Sequence, residues 1–296
     1  MASGKQGQNE AKTRPVSQIT LVDWILVLIM VGLIALTAAP LLNALALSFS
    51  SNMAAIQPGI HLWPKEWSTV GYRIAWRKLE FWRPFFNSLL VTTVGSFLHM
   101  LAGSMAAYTM LHRDFPLRRT VVGLMFFSMT VPGEAIMVPL YMVNKQLGLL
   151  NTYTSLIIAG MVSGFTILLL FNYFRSVPGS LMEAARLDGA GDFLIFTKVF
   201  LPVSKPGLAA VGLFQIVGRW NQFREPLLYI TDSAKITIQI ALRQIAVLDT
   251  ATSGTDIVLA NTRMATVMIG VSILVFIFPF VQKHFVQGIV LGATKE

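Results

Sequence analysis

Long apolar stretches separated by polar or basic segments dominate the chain. Each has about the 20 apolar residues that a helix needs to cross the hydrocarbon core of a bilayer. In chain order they are Val22–Leu47, Phe85–Thr109, Val121–Val143, Thr152–Phe174, Gly207–Ile230 and Met264–Val281. Lipid offers no partner to a free backbone N–H or C=O, and the stretches are too long and too uniformly apolar for barrel strands. The pattern therefore predicts an all-α fold, a polytopic membrane helical bundle of six transmembrane helices.

The composition agrees with this pattern and excludes a soluble globular protein. Hydrophobic residues make up 54% of the chain and charged residues 12%, whereas a soluble domain carries about 25% charged residues. The net charge is +9, which in a soluble protein would suggest nucleic acid as a partner. In a membrane protein, Lys and Arg at helix ends set the topology and contact anionic headgroups. We therefore expect a lipid bilayer, and no nucleic acid, among the partners.

Residues that could carry catalysis or bind a metal are scarce. The chain has no Cys, which excludes disulfides, thiolate metal sites and a thiol nucleophile. No two His residues form a metal-ligand pair at helical spacing. Ser163 between Gly160 and Gly164 could suggest an intramembrane nucleophile, but small residues in membranes more often pack helices together. We predict no catalytic residue and no metal.

The distribution of Lys and Arg predicts the topology. The first apolar stretch is too long for a signal peptide and lacks a cleavage site, so residues 21–48 are expected to form a retained helix after a cytoplasmic tail, residues 1–20. With the N-terminus inside, more Lys and Arg lie on the cytoplasmic side than outside, and the tail of residues 287–296 is cytoplasmic too. Residues 49–84 then form an outer loop with an interfacial segment. Its aromatic anchors are Trp63, Trp67, Trp76 and Trp82.

The segment between the fourth and fifth stretches is longer than a link between antiparallel helices needs to be. It predicts two short helices, the first starting near Glu183, where an acidic side chain suits the positive end of the helix dipole. Gly189 suits a left-handed cap at the end of this helix. Asp192 can cap the second helix, which Pro202 separates from the fifth stretch. A helix–turn–helix of this kind favours docking on another protein, and the alternative is an interfacial helix lying on the membrane.

The spacing in this segment resembles the EAA signature of importer permeases. In that signature Glu-Ala-Ala is followed by three residues, Gly, nine residues, an aliphatic residue, one residue and Leu-Pro. Glu183-Ala184-Ala185, Gly189, Val199 and Leu201-Pro202 have this spacing. Because the pattern is long and spaced, it is highly specific.

Further motifs extend the resemblance over most of the chain, apart from the N-terminal tail and the first outer loop. The chain is similar to MalG-type carbohydrate permeases of binding-protein-dependent ABC importers. The matching motifs are Asn87-Ser88, Pro132-Gly133, Pro139-Leu140-Tyr141, residues 147–152, Trp220-Asn221 and Gly288–Gly292. The resemblance implies the transmembrane domain of a type I ABC importer, with a five-helix permease core over residues 85–286 and a cytoplasmic coupling helix in residues 175–206.

The resemblance also implies partners in the bacterial cytoplasmic (inner) membrane. They are a second related permease subunit, two ATPase subunits, a periplasmic or extracellular solute-binding protein and an oligosaccharide substrate. ATP and Mg would be bound by the ATPase subunits, because this chain has no Gly-x-x-x-x-Gly-Lys-Ser/Thr loop. The subunit would therefore not be an enzyme and would bind no cofactor of its own. The ATPase-coupling residues implied are Glu183, Ala184, Ala185, Asp188, Gly189, Leu201 and Pro202.

Polar residues in the fifth stretch predict a substrate path. Ionisable groups at membrane depth are costly and hence candidates for function, and sugars are held by aromatic, amide and charged groups. The residues are Arg219, Trp220, Asn221, Gln222, Arg224 and Glu225. The two arginines suggest an acidic saccharide such as alginate oligomers, since guanidinium groups match carboxylates. The alternative is an Arg224–Glu225 or interchain ion pair.

Two interpretations of other features stay open. Pro132, Gly133 and Pro139 can kink or break the third stretch, which predicts either a gating hinge or an ordinary helix distortion satisfied by its neighbours. A stand-alone secondary transporter of small solutes is the alternative to a permease subunit. Secondary carriers often contain two similar halves, and no such halves are evident here.

Overall fold

The computed structural model describes residues 21–112, 115–248, 258–273 and 275–276. In these ranges the chain is helical, with one isolated antiparallel bridge between Ser50 and Trp67. The all-α prediction is confirmed. The two predicted tails, residues 1–20 and 287–296, lie outside the described residues.

The helices differ widely in length, and two π-helical turns, Phe196–Phe200 and Gln244–Leu248, occur among them. In chain order the named helices are α1 (Leu21–Ser48), α2 (Asn52–Ile56), α3 (Val70–Leu79), α4 (Trp82–Thr109), α5 (Arg118–Thr130), α6 (Met137–Gln146), α7 (Tyr153–Ile158), α8 (Gly164–Arg175), α9 (Gly179–Leu187), α10 (Asp192–Ile195), α11 (Leu201–Val203), α12 (Lys205–Trp220), α13 (Arg224–Tyr229) and α14 (Ile238–Arg243). A further helix, α15, covers residues 260–273.

Two helices of the described residues, α1 and α4, are long and apolar enough to cross a membrane unaided. A third span would be the pair Asp192–Val203 and Lys205–Tyr229, whose axes differ by 82°. The third and fourth apolar stretches are each divided into two helices. The sixth begins in α15, and its residues 277–281 lie outside the described residues. The count of six transmembrane helices therefore stays a prediction.

Helix α4 forms the centre of the bundle and packs against α8 and α12. Small side chains allow this close packing: a Cβ on Gly103 would lie 3.2 Å from Thr166 Cγ2 and 3.7 Å from Leu170 Cδ1. Beyond Gly103, the end of α4 enters a buried aromatic cluster, where the ring of Tyr108 lies 5.0 Å from that of Phe200. This cluster holds the segment after α8 against the bundle.

The first helix contacts the rest of the described chain mainly through its C-terminal part, where Asn43 Oδ1 accepts from the backbone N–H of His61 at 2.7 Å. Most side chains of α1 are exposed, while Ala46 and Ser48 are buried. Ser48 Oγ lies 3.0 Å from the hydroxyl of Tyr72 on α3. The predicted aromatic anchors of residues 49–84 are exposed, as an interfacial segment requires.

Candidate functional site

The segment between α8 and α12 forms the predicted pair of short helices. Helix α9 is followed by Gly189, whose φ of +80° is left-handed, as predicted for its cap. Two details of the prediction were wrong. Helix α9 begins at Gly179, so Glu183 lies in its middle and not at its start. Gly191, not Asp192, occupies the capping position of α10.

The carboxylate of Asp192 instead joins the two halves of this segment. Arg186 Nη2 donates to Asp192 Oδ1 at 3.3 Å, and the hydroxyl of Tyr108 on α4 donates to the same oxygen at 3.5 Å. These contacts hold α9 and α10 together and tie them to α4.

The two faces of the α9–α10 segment differ in exposure. Ile195, Phe196 and Phe200 are buried in the aromatic cluster at the end of α4. On the opposite side Leu187 is 90% exposed and Phe193 is 74% exposed. The seven residues of the predicted coupling set are exposed or half-buried: Glu183, Ala184, Asp188, Gly189 and Pro202 are exposed, and Ala185 and Leu201 are half-buried. The segment is therefore held in place by its buried face and exposes large apolar side chains on its other face.

The third apolar stretch breaks between α5 and α6, at residues 131–136. Pro132 and Gly133 lie in this break, as the sequence predicted. Pro139 lies in the first turn of α6, where a missing N–H costs no intrahelical hydrogen bond. The break therefore depends on Pro132 and Gly133, while a gating function for it stays a prediction.

The fourth apolar stretch breaks between α7 and α8, at residues 159–163, which the sequence did not predict. Gly160 has a φ of +63°, and its carbonyl lies 2.8 Å from His99 Nδ1. Arg219 Nη1 donates to the carbonyl of Leu156 at 3.1 Å and Nη2 to that of Ala159 at 3.0 Å. The last carbonyls of a helix have no intrahelical partner. Side chains of α4 and α12 thus supply the partners that this break needs.

The fifth apolar stretch breaks between α12 and α13, at residues 221–223, and the predicted substrate-path residues lie on both sides. Trp220 is buried and meets the ring of Phe85 edge-on at 5.9 Å. Asn221 is exposed, and its amide donates to the carbonyl of Val217 at 3.0 Å. Glu225 is half-buried.

Arg224 connects this break to the one between α5 and α6. Its Nη1 lies 2.5 Å from Glu134 Oε1, and the two side chains are 58% and 61% exposed. A Cβ on Gly133 would lie 3.9 Å from the same guanidinium nitrogen. The partner of Arg224 is thus Glu134 and not Glu225, the alternative that the sequence suggested.

A small polar cavity lies beside the α12–α13 break. Four buried polar atoms of its lining residues have no protein partner: Arg219 Nε, Trp220 Nε1, Gln222 Oε1 and Thr237 Oγ1. The lining is completed by Ser88, Val91, Thr92 and Pro226. The cavity volume of about 10 Å³ is close to that of one water molecule. A saccharide cannot enter it, so the buried Trp220 can contact a sugar only after the break rearranges.

The three breaks lie at a similar depth in the bundle. Arg118 Cζ lies 5.5 Å from the centre of the Phe171 ring, and Gly207 packs against the ring of Tyr173. The first residue of α5, the last of α8 and the first of α12 therefore share one end of the bundle. From this end α5, α8 and α12 run for 13, 12 and 16 residues before breaking, which is about 20, 18 and 24 Å at 1.5 Å per residue.

Glu134, His99 and Arg219 are the residues of this site whose partners sequence reasoning missed. The side chain of His99 contacts Gly160 and Thr166, which lie more than 60 residues away along the chain. Glu134 carried one signal, a carboxylate inside an otherwise apolar stretch. Among the described residues no three His, Asp or Glu side chains lie close enough together to hold a metal ion.

Comparison with known proteins gives consistent matches over most of the chain. A family model described as "Binding-protein-dependent transport system inner membrane component" matches residues 99–290. Protein LplC of Bacillus subtilis is 34% identical over 276 residues, which cover 91% of this chain and 93% of that protein. The polygalacturonan/rhamnogalacturonan transport system permease protein YtcP of Bacillus subtilis is 32% identical over 264 residues, covering 86% of this chain and 92% of that protein.

A solved structure is also similar in fold. It is described as a bacterial ABC transporter involved in the import of the acidic polysaccharide alginate. The TM-score is 0.80 at 27% sequence identity, and the superposition covers 89% of this chain and 96% of that chain.

Proposed function

The chain belongs to the binding-protein-dependent transport system inner membrane components, and from this we propose that it forms part of the membrane pathway for oligosaccharides, acidic ones in particular. It is a multi-pass permease subunit of an ABC importer and not an enzyme. The comparisons favour this interpretation over a stand-alone secondary transporter. Membership of the family implies a partner permease, an ATPase and a solute-binding protein.

The observation that carries the proposal is the near full-length similarity to proteins described for acidic polysaccharides. YtcP and the alginate importer cover 86% and 89% of this chain. The exposed Arg224 at a helix break supports the same substrate class, because a guanidinium group binds carboxylates with two parallel hydrogen bonds. The proposed substrates are therefore uronate-containing oligomers, such as those of alginate.

The partners and the ATP chemistry follow from the same proposal. Two ATPase subunits, which bind ATP and Mg, dock on the α9–α10 segments of this subunit and of a second, related permease. Closure of the ATPases on ATP rocks the permeases as rigid bodies, since nucleotide favours one of two arrangements of the assembly. The exposed side chains of Leu187 and Phe193 on a packed base support this docking surface.

The proposed arrangement in the membrane has six spans. The broken pairs α5–α6, α7–α8 and α12–α13 each serve as one span, together with α1, α4 and the helix that begins at residue 260. Both termini and the α9–α10 segment are cytoplasmic, in the bacterial inner membrane. The residues of the three breaks, Pro132 and Gly133 included, then line the path and its gate.

Co-purification tests the subunit proposal. The tagged chain is extracted from its native membrane in mild detergent, as wild type and as the variants Glu183→Lys and Gly189→Asp. We expect wild type to retain an ATPase and a second permease, and both variants to lose the ATPase while keeping the second permease. A folded wild-type chain that retains no ATPase would favour the stand-alone transporter.

A further inference from the structure

The ion pair between Arg224 and Glu134 lies in an unusual place. It joins two helix breaks that lie about 20 to 24 Å from one end of a bundle, and the hydrocarbon core is about 30 Å thick. Both side chains are nevertheless more than half exposed on this chain.

Exposure at this depth limits what the pair can face. Charged side chains in the membrane face the interior of a bundle, a water-filled cavity or another protein, because contact with lipid is too costly. Asn221 is exposed at the same break, and Gln239 Nε2 lies 3.5 Å from its Oδ1. The α12–α13 break therefore carries an exposed amide group as well as the charge of Arg224, which suits the hydroxyl and carboxylate groups of a uronate sugar.

The pair is also able to open. Exposed ion pairs contribute little to stability, and the carboxylate of Glu134 also accepts a hydrogen bond from its own backbone N–H, which does not depend on Arg224. Arg219, which precedes the α12–α13 break, differs because it is buried and donates hydrogen bonds to two backbone carbonyls. Of the two arginines, Arg224 is the one whose partner can be exchanged.

We propose that Glu134 is a specificity-determining residue that competes with the substrate for Arg224. In the absence of sugar, the carboxylate of Glu134 pairs with the guanidinium group of Arg224. During transport, a uronate carboxylate, which has the same chemistry, takes the place of the Glu134 carboxylate. This inference rests on the proposed function. Neutral oligosaccharides have no group that takes the place of Glu134, so the exchange favours acidic substrates.

The test compares one saccharide in charged and neutral form. The probes are trigalacturonate and its fully methyl-esterified derivative, and the protein is the assembled importer in proteoliposomes with its solute-binding protein. Initial uptake rates give KM for wild type, Glu134→Gln, Arg224→Gln and the double variant. Arg73→Gln, on α3 and away from the breaks, controls for the loss of one positive charge.

The expected effects have opposite signs for the charged probe. Glu134→Gln lowers KM for trigalacturonate by about 2- to 5-fold, because an exposed competitor of this kind is weak. Arg224→Gln raises it by about tenfold, and the double variant behaves like Arg224→Gln. KM for the methyl ester changes less than twofold throughout, and Arg73→Gln resembles wild type for both probes.

Other outcomes would overturn the inference in distinguishable ways. Equal changes in KM for both probes would mean that the pair is a structural contact, within this chain or with the second permease, and would leave the proposed function intact. Wild type that imports neither probe would reject the proposed function, and this inference with it.

Discussion

Arg219 and Arg224 are similar in sequence context and opposite in environment. Both stand in the fifth apolar stretch, and both suggested contact with an acidic substrate. Arg219 is 94% buried, since its relative exposure is 6%, and it donates to the carbonyls of Leu156 and Ala159 at the end of α7. Those carbonyls lie 63 and 60 residues away along the chain. Local sequence could not show which arginine would find them.

We expect Arg219→Gln to destabilise the folded chain. The shorter, neutral side chain cannot reach both carbonyls, and leaving a buried acceptor without a partner costs about 1 to 3 kcal/mol. Thermal unfolding in detergent should show a midpoint lower by several degrees. Arg224→Gln is the matched control, because it removes an exposed side chain and should leave the midpoint nearly unchanged. Equal midpoints for the two variants would argue against a bracing function for Arg219.

Gly95 offers an independent test of the contact between Arg219 and the end of α7. A Cβ on this residue of α4 would lie 2.8 Å from Arg219 Cζ, so Gly95→Ala must displace the guanidinium group. We expect a loss of about 1 to 3 kcal/mol in stability, as for overpacking. Gly123→Ala on α5 is the control, because a Cβ there meets nothing within 4 Å. If both variants unfold at the wild-type temperature, Arg219 has more room than the structure shows.

At the scale of elements, the helix breaks show which features of the fold a sequence pattern can predict. The α5–α6 break was predictable because Pro132 and Gly133 disfavour a helix locally. The α7–α8 break was missed although its own segment carries two local signals, Gly160 with a left-handed φ and Ser163 as the cap of α8. Apolar residues on either side favoured one uninterrupted helix. His99 and Arg219 stabilise that break from other helices, and those tertiary contacts leave no signal in the segment itself.

The α9–α10 segment was predicted more completely, because its turn depends on a residue within the segment. Its turn depends on Gly189, and a left-handed residue at a helix end is a local signal. The start of α9 was placed too late, because Glu183 was taken as a residue of the first turn. No side chain caps α9, so the usual sign of a helix start is missing.

Gly189 allows a prediction for coupling to the ATPase. A Cβ there meets nothing within 4 Å, so Gly189→Ala adds no clash and acts only through its φ of +80°. The left-handed conformation costs a residue with a Cβ about 1 kcal/mol, which corresponds to about fivefold in binding. We expect correspondingly less ATPase to co-purify in a titration of detergent-solubilised complex.

Gly191→Ala is the matched control for this element. Gly191 lies two residues further on, with a φ of −73° and open space around it. Ala suits that conformation, so the amount of ATPase should stay at the wild-type level. If Gly191→Ala weakens docking as much as Gly189→Ala does, the shape of the turn is not what the partner recognises.

At the scale of the whole molecule, the two ends of the bundle differ in architecture. The end that holds Arg118, Arg175 and Lys205 also carries the α9–α10 segment, and the axis of Asp192–Val203 departs by 82° from that of Lys205–Tyr229. At the other end, Asn151 binds the chain after α13, with its Oδ1 accepting from the backbone N–H groups of Thr231 and Asp232. Basic residues favour the cytoplasmic side, and on this ground we propose that the first end is cytoplasmic.

Single-cysteine labelling tests this orientation directly, because the chain has no Cys of its own. Ser180→Cys places a thiol on exposed α9, and Ser233→Cys places one on the exposed connection before α14. Each change replaces one oxygen by sulfur, so both variants should fold and transport normally.

In intact spheroplasts, a membrane-impermeant maleimide should label the Ser233→Cys variant and spare the Ser180→Cys variant until the membrane is permeabilised. The reverse pattern would put the α9–α10 segment outside, where no cytoplasmic ATPase could reach it. Labelling of both thiols in intact spheroplasts would mean that the chain between α9 and α14 crosses the membrane an even number of times, and α12–α13 could not be a span.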